Sequence, residues 1–363
     1  MAVMALRELK IELTQRCPLA CAHCSTDSHR RRVSCLSEDL VLRLLREGSE
    51  LGVQKVAFSG GEPLLVEYLS RVVEEAHLLG MSSSVYTCGV RDSEMNPLTA
   101  QFATTLAERG LGRFIFSVYS SLPGVHNSVT RYQSFDVTVT ALRNAVASGV
   151  PVEVHFVAMR RNFRDLPNLV EAAANWGVRR ISVLRFVPHG RGAAIASEDL
   201  THQEMRDLRE IILSTRDNHP SVELRAGSPY NVLGIGITPC DAAREVLVVN
   251  HRAEIFPCDA FKNVTFYDAE YGSVLKHSLA EVWERSPFLN RVREELAARP
   301  GPTCDSCSEL HSCQSGCLAQ TVIRRGWGDT SEPDPSCLVQ IEAAEMPSPH
   351  VHRRGNHQLV QIQ

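Results

Sequence analysis

The sequence predicts an α/β fold, a partial (βα)6 barrel followed by a cysteine-rich domain, and three observations carry that expectation. Over residues 1–195, β-rich runs alternate with helical stretches in six βα units spaced by roughly 30 residues, the pattern of a parallel sheet joined by crossovers. The helical stretches close near glycines, at Gly52, Gly80, Gly110, Gly149 and Gly177, as suits a C-terminal cap. From about residue 236 the periodicity fades and cysteines crowd together.

The strands, in order, are "LKIEL" (9–13), "KVAFS" (55–59), "SSVYT" (83–87), "RFIFSVY" (113–119), "VEVHFVA" (152–158) and "RISVLRF" (180–186). The first helix starts after Ser37, an N-cap followed by Glu38 and Asp39 where the helix dipole favours acid. Others are expected over 66–79, 97–109, 136–148 and 166–176. Six units cannot close the eight-stranded barrel, so the expected shape is a curved partial barrel with its site at the C-terminal strand ends. A helical connector follows over 196–235, then a domain over 236–345 whose core rests partly on bound metal, then a polar, flexible tail over 346–363.

Composition narrows the function. Lys plus Arg is 38 against 42 for Asp plus Glu, a net charge of −4, which offers no electrostatic case for nucleic acid. The basic run "HRRR" (29–32) reads as a solvated loop or an anionic contact. Arg7, Glu8 and Lys10 interrupt the N-terminus before any signal-peptide core, and nothing approaches the roughly 18 apolar residues of a membrane span. A cytoplasmic protein without a membrane partner is expected.

The twelve cysteines argue, in a reducing compartment, for metal or redox chemistry before disulfides. Three fall at 17, 21 and 24, five between 304 and 337, and Cys240 and Cys258 lie between, with Cys35 and Cys88 apart. Cys17, Cys21 and Cys24 can ligate three corners of a four-iron cluster from one loop after the first strand, leaving the fourth iron open. Taken alone they could also be zinc ligands with a histidine such as His23 or His29. "FSGGEPLL" (58–65) follows the second strand, and its paired glycines permit a close backbone approach that a Cβ would block.

CxxxCxxC followed one strand later by GGEP resembles the radical S-adenosylmethionine (radical SAM) superfamily. The resemblance implies that SAM chelates the open iron, and that an electron from the cluster cleaves it to methionine and a 5′-deoxyadenosyl radical that abstracts a hydrogen atom from substrate. It implies that Gly60, Gly61, Glu62 and Pro63 meet the methionyl amino group and that His23 lies near the adenine. "SVYSSLPGVHNSVTRYQSFD" (117–136) resembles the fourth-strand segment of peptide-modifying members, which would bring Ser117 to the ribose and Arg131 to the SAM carboxylate. The third strand ends "TCG" (87–89) where relatives commonly carry Thr-Asn-Gly. Cys88 is therefore either a small buried residue or a hydrogen-atom donor.

"CDSCSELHSCQSGC" (304–317), with Cys337 after it and Cys240 and Cys258 before it, resembles the SPASM domain, which carries two auxiliary four-iron clusters and brings the total to three. By that resemblance Cys304, Cys307, Cys313 and Cys337 hold the distal cluster. Cys240, Cys258 and Cys317 hold the proximal one, whose fourth iron is open unless Cys88, another side chain or substrate fills it. Ala253 stands where relatives carry a glycine, so a turn there must manage with a Cβ. Asp259, directly after Cys258, occupies the place of the proton-accepting aspartate of sulfatase-maturing relatives; a solvated or capping role is the alternative.

Auxiliary clusters favour oxidative outcomes, and the family associates them mostly with ribosomally made peptides. The expected function is cross-linking or dehydrogenation of a peptide or protein, with dehydrogenation or epimerisation of a carbohydrate-like small molecule as the alternative. Peptide-modifying members commonly carry a leader-recognition domain ahead of the cysteine motif, whereas 16 residues precede Cys17 here. A separate recognition protein is an expected partner, beside a flavodoxin- or ferredoxin-type electron donor.

Overall fold

The computed structural model describes residues 4–339; the tail expected over 346–363 and the last residues of the 236–345 domain lie outside them. Strands β1 (Glu8–Thr14), β2 (Lys55–Gly60), β3 (Ser82–Thr87), β4 (Leu111–Ser117), β5 (Val152–Ala158) and β6 (Arg180–Arg185) run parallel in sequence order. Helices α1 (Glu38–Glu50), α2 (Leu69–Leu78), α3 (Ala100–Glu108), α4 (Pro123–Thr130), α5 (Phe135–Ala147) and α6 (Leu166–Asn175) connect them. Ser37 caps α1 by accepting from the Leu40 N–H, and the five expected glycines all take positive φ, between 77° and 88°. The short α4, inside the segment quoted for Ser117 and Arg131, was not expected: its "PGVHNSVT" carries a weak periodicity, and it is anchored by Pro123 at its first turn.

The sheet is wider than six strands. Its order is β7-β6-β5-β4-β3-β2-β1-β8-β9, with β7 (Glu223–Ala226) paired to β6, β8 (Val246–Val249) paired parallel to β1, and β9 (Ile255–Phe256) antiparallel to β8. The connector is thus not purely helical, because after α7 (His202–Asn218) it donates a strand. The 236–345 segment also carries apolar core residues of its own. Helices α8 (Leu279–Arg285) and α9 (Pro287–Ala298) bury Trp283, Phe288 and Leu289 in the same continuous apolar cluster as Leu9, Ile11 and Val56 of the barrel.

Alternation along the strands separates two faces. Leu9, Ile11 and Leu13 of β1, Phe114 and Phe116 of β4, and Val154 and Phe156 of β5 are fully buried in the apolar core. The opposite, inner face carries Lys10, Glu12, Tyr86, Arg113, Ser117, Glu153, His155 and Ser182. A row of polar residues inside a barrel is costly unless each finds a partner, and here they find one another.

Candidate active site

The cysteine loop leaves β1 at Thr14 and is fixed from two sides. The Ala22 N–H donates to the Val129 carbonyl of α4 at 2.7 Å. Arg191, within "VPHGRG", donates from Nε to the Cys21 carbonyl at 2.9 Å, from Nη1 to Asp27 at 2.8 Å and from Nη2 to the Ser28 carbonyl at 2.8 Å. The sequence did not single out Arg191 as a clamp; the preceding Gly190 takes a positive φ of 54°. Cys17 is buried, and Cys21 and Cys24 are half-buried. Burial and then the neighbouring Cys17 and Cys24 push the Cys21 thiol up, so three thiolates here need a cationic centre between them.

The paired glycines serve the cysteine loop directly. The Gly61 N–H donates to the Thr14 carbonyl at 2.6 Å and the Glu62 N–H to the Arg16 carbonyl at 2.9 Å. A Cβ on Gly60 would stand 2.4 Å from the Thr14 carbonyl oxygen, and one on Gly61 2.1 Å from that of Arg16. Pro63 opens a 3-10 turn, Pro63–Leu65. The Glu62 side chain is fully buried and accepts from Thr87 Oγ1 at 2.7 Å, Leu64 N–H at 3.0 Å and Cys88 N–H at 2.7 Å. The carboxylate thus ties β2 to β3, burial raises its pKa, and Oε2, with a single backbone donor, keeps acceptor capacity for a ligand amine.

The Cys88 thiol packs in the small cluster of Cys17, Leu19 and Val90, and burial, a hydrogen bond with Cys17 and the Glu62 charge push its pKa well up. Cys258 instead has Cys317 and Cys240 as its sulfur neighbours. Cys88 thus neighbours the N-terminal cysteines.

His23 lies edge-on to Tyr119, ring centroids 4.7 Å apart, and its Nδ1 is buried without a hydrogen-bond partner. Burial, then Arg191 and Arg161, lower its pKa to about 4, so the imidazole is neutral near pH 7. Ser117, at the end of β4, hydrogen-bonds Tyr119 and pairs in register with His155. Arg131 caps α4 in the left-handed conformation, φ 62°. It is exposed.

Across the inner face runs a chain of partners that sequence reading did not single out. Glu153 accepts from Ser182 Oγ at 2.5 Å and Arg113 Nη1 at 3.1 Å, and lies 3.3 Å from His155 Nε2. His155, Ser182 and Arg113 hold its pKa down to about 2 against burial. The His155 ring meets Tyr86 edge-on at 5.2 Å, and burial pushes the Tyr86 phenol up to about 12. Lys10 then reaches Asp259 at 3.0 Å, Asp259 meets Lys262 at 2.5 Å, and Lys262 meets Glu12 at 2.6 Å. The signal was present in "LKIEL" and "VEVHFVA", where polar residues recur at every second position. Such alternation also describes a strand with one face in solvent. Asp259, expected as a proton acceptor, sits between the Lys10 and Lys262 ammonium groups, which hold its carboxyl well below the usual range and make it a weak base.

The C-terminal cysteines have the following neighbours. Cys240, Cys258 and Cys317 are mutual electrostatic neighbours. Cys304, Cys307, Cys313 and Cys337 line a cavity of about 640 Å³ together with Val232, Leu233 and Leu338. The same wall carries Arg209, Glu309 and Asp334, so four thiols, which suit a soft metal, share the cavity with charged side chains. Ala253 adopts φ 64° in a buried turn, held by the Asn250 side chain accepting from Arg252 and Glu254 N–H groups.

An open parallel barrel whose first loop carries three thiols, backed by a second cysteine-rich unit, defines an iron–sulfur enzyme. The radical SAM superfamily profile matches residues 11–173 and the SPASM iron–sulfur cluster-binding domain profile matches residues 240–308: the chain belongs to the radical SAM superfamily, in its SPASM-containing branch. It is 29% identical over 347 residues to a PqqA peptide cyclase of Streptomyces rochei, covering 93% of this chain and 90% of that one. It is 27% identical to the PqqA peptide cyclase of Xanthomonas campestris pv. campestris, covering 90% and 85%. Among solved structures, Streptococcus suis SuiB bound to S-adenosylmethionine superposes with a TM-score of 0.73 at 16% identity over 92% of this chain and 78% of that one. anSMEcpe with bound AdoMet and the Cp18Cys peptide superposes with a TM-score of 0.70 at 15% identity, covering 93% and 94%. These last two establish the shared fold. SAM and iron–sulfur clusters are the cofactors the two domains imply. No helix among the described residues is long and apolar enough to cross a membrane.

Proposed function

We propose that this enzyme oxidatively modifies a ribosomally made peptide or protein, forming a cross-link or a dehydrogenated residue. The observation that supports the reading is the span of the likeness to PqqA peptide cyclases, which runs through barrel and cysteine-rich domain alike, 93% of this chain. Cys17, Cys21 and Cys24 would hold the SAM-binding cluster, Cys240, Cys258 and Cys317 a proximal auxiliary cluster, and Cys304, Cys307, Cys313 and Cys337 a distal one. When bound, cluster and SAM supply a 5′-deoxyadenosyl radical that removes a hydrogen atom from substrate.

The chain's own residues then have definable tasks. The backbone of Gly60, Gly61 and Pro63 and the side chains of His23, Ser117 and Arg131 orient SAM. Tyr86, His155 and Lys10 line the inner face between Ser117 and Asp259, where the reacting part of the substrate lies, and Asp259 or the His155–Glu153 pair receives the departing proton. The working division is barrel 1–195, connector 196–235 and auxiliary domain 236–345, in the cytoplasm, with a flavodoxin- or ferredoxin-type donor and a separate leader-recognition protein as partners. One observation favours a second reading: a thiol held protonated beside Cys17, Cys88, suits hydrogen-atom return in the epimerisation of a carbohydrate-like small molecule.

The test is anaerobic reconstitution followed by incubation with SAM, a low-potential reductant and a synthetic PqqA-type peptide. Three clusters give about 12 irons per chain, and the proposal expects 5′-deoxyadenosine together with a peptide lighter by two hydrogens. Release of 5′-deoxyadenosine with the peptide unchanged would overturn this substrate class.

A further inference from the structure

Arg185 closes β6 on the face it shares with Ile181 and Val183, both fully buried. Its side chain is 3% exposed and that of Asp334 is 0%. Nη1 donates to Asp334 Oδ2 at 2.8 Å and Nη2 to Oδ1 at 2.9 Å, a bidentate pair, while Nη2 also donates to Ser336 Oγ at 2.7 Å and Nη1 to the Pro229 carbonyl at 3.1 Å. A buried ion pair of this kind adds little net stability over apolar packing. Stability alone does not account for it.

What else Asp334 holds does. Its Oδ2 accepts from the Cys317 N–H at 2.9 Å, and its backbone carbonyl accepts from the Cys337 N–H at 2.8 Å. Gly316, at φ 70°, lies so close that a Cβ would stand 2.4 Å from the Asp334 Cβ. Cys317 groups with Cys240 and Cys258, whereas Cys337 lines the cavity with Cys304, Cys307 and Cys313. The carboxylate therefore holds the Cys317 segment directly and, through Oδ1 accepting from the Ser336 N–H at 2.8 Å, the turn that carries Cys337.

We propose that Asp334 is a positioning residue shared by the two auxiliary ligand sets and that Arg185 balances its charge, so that one ion pair at the end of β6 sets the spacing and the potentials of both clusters together. The inference rests on the reading of two auxiliary clusters given above. Reduction makes a cluster more negative, so a nearby carboxylate opposes it and a nearby guanidinium favours it.

The experiment uses the full chain with Cys17, Cys21 and Cys24 replaced by alanine, which leaves only auxiliary signals, and reads iron per chain and an EPR-monitored redox titration. Asp334→Asn, which keeps the shape and removes the charge, is expected to raise both potentials. Arg185→Gln, which leaves the carboxylate unbalanced, is expected to lower both, and Arg185→Lys to leave them close to the parent. Opposite shifts in the two variants, in both signals, are not produced by loosened packing. A shift confined to one cluster, shifts of the same sign, or no shift overturns the proposal. Where Arg185→Gln fails to fold, an upward shift of both signals in Asp334→Asn but not in Arg185→Lys supports it, and its absence overturns it. The parent's iron count checks the underlying reading separately: about eight irons fit two clusters, and about four or none removes that reading and this proposal with it.

Discussion

Lys10 and Asp259 form an ion pair at 3.0 Å across 249 positions of sequence. The inner face of β1 thereby meets the residue directly after Cys258, and the barrel interior is continuous with the proximal auxiliary cysteines.

That contact sharpens what Asp259 can do. Lys10 and Lys262 hold its folded pKa below the ordinary aspartate value, so its charge is present above the unfolded pKa and is lost only as pH falls through the still lower folded value. Product formation that depends on this charge is expected to be flat from roughly pH 5 to 8, a range in which an unperturbed histidine would titrate. Asp259→Asn is expected to keep iron content and SAM cleavage while product disappears; Lys10→Met is expected to bring an acid limb into the accessible range. Chromatography of product and 5′-deoxyadenosine from the same reactions checks both, and wild-type product yield in Asp259→Asn removes Asp259 from the chemistry.

Gly61→Ala places a Cβ 2.1 Å from a backbone oxygen of the cysteine loop. The clash is with main chain and has no side chain to yield, so a cost at the upper end of about 1–3 kcal/mol is expected. Iron should fall by one cluster per chain, with SAM cleavage abolished and the auxiliary signals retained.

His126 of α4 is fully buried; its Nδ1 accepts from the Tyr119 N–H at 3.3 Å and its Nε2 faces Ser134 Oγ at 3.2 Å. Burial lowers its pKa to about 4, so the fold requires the neutral ring. Its contribution is fully present above the unfolded value and is lost as pH falls from about 6.5 towards 4, on the order of 3 kcal/mol in all. Denaturant titrations across that window should show the loss, and His126→Gln should flatten it.

Ala253 holds φ 64°, a conformation that strains a residue with a Cβ. Ala253→Gly is expected to stabilise the β8–β9 turn by up to about 1 kcal/mol, visible as a higher unfolding midpoint with an unchanged denaturant slope.

Tyr86 projects its phenol into the inner face between Lys10 and His155. Tyr86→Phe keeps the ring against His155 and removes one hydrogen-bonding group, so misplacement of substrate by a fraction of an ångström is expected to lower product per 5′-deoxyadenosine by roughly tenfold to a hundredfold. Substrate-free SAM cleavage should be unchanged. Equal losses in both rates would place Tyr86 in the structure of the SAM site instead.

Much of the architecture was legible in residues alone. Strand and helix positions follow from local periodicity and from glycines that tolerate positive φ, both properties of neighbouring residues, whereas the division of the cysteines into ligand sets is what the family resemblance implies. Cys17, Cys21, Cys24 and the GGEP turn lie within one βα unit of each other, so their meeting needed no knowledge of the fold. Three things depended on the tertiary structure. β7, β8 and β9 are too short to declare themselves, and only pairing with β6, β1 and β8 respectively makes them strands. The polar row on the inner face is indistinguishable in sequence from a solvated strand face until the barrel curves around it. Glu62, Cys88, Asp259 and the Arg185–Asp334 pair draw their electrostatic character from partners up to 249 positions away. Covalent spacing determined which chemistry this protein carries; burial and long-range charge pairing, which exist only once the chain is folded, decided which side chains are free to take part in it.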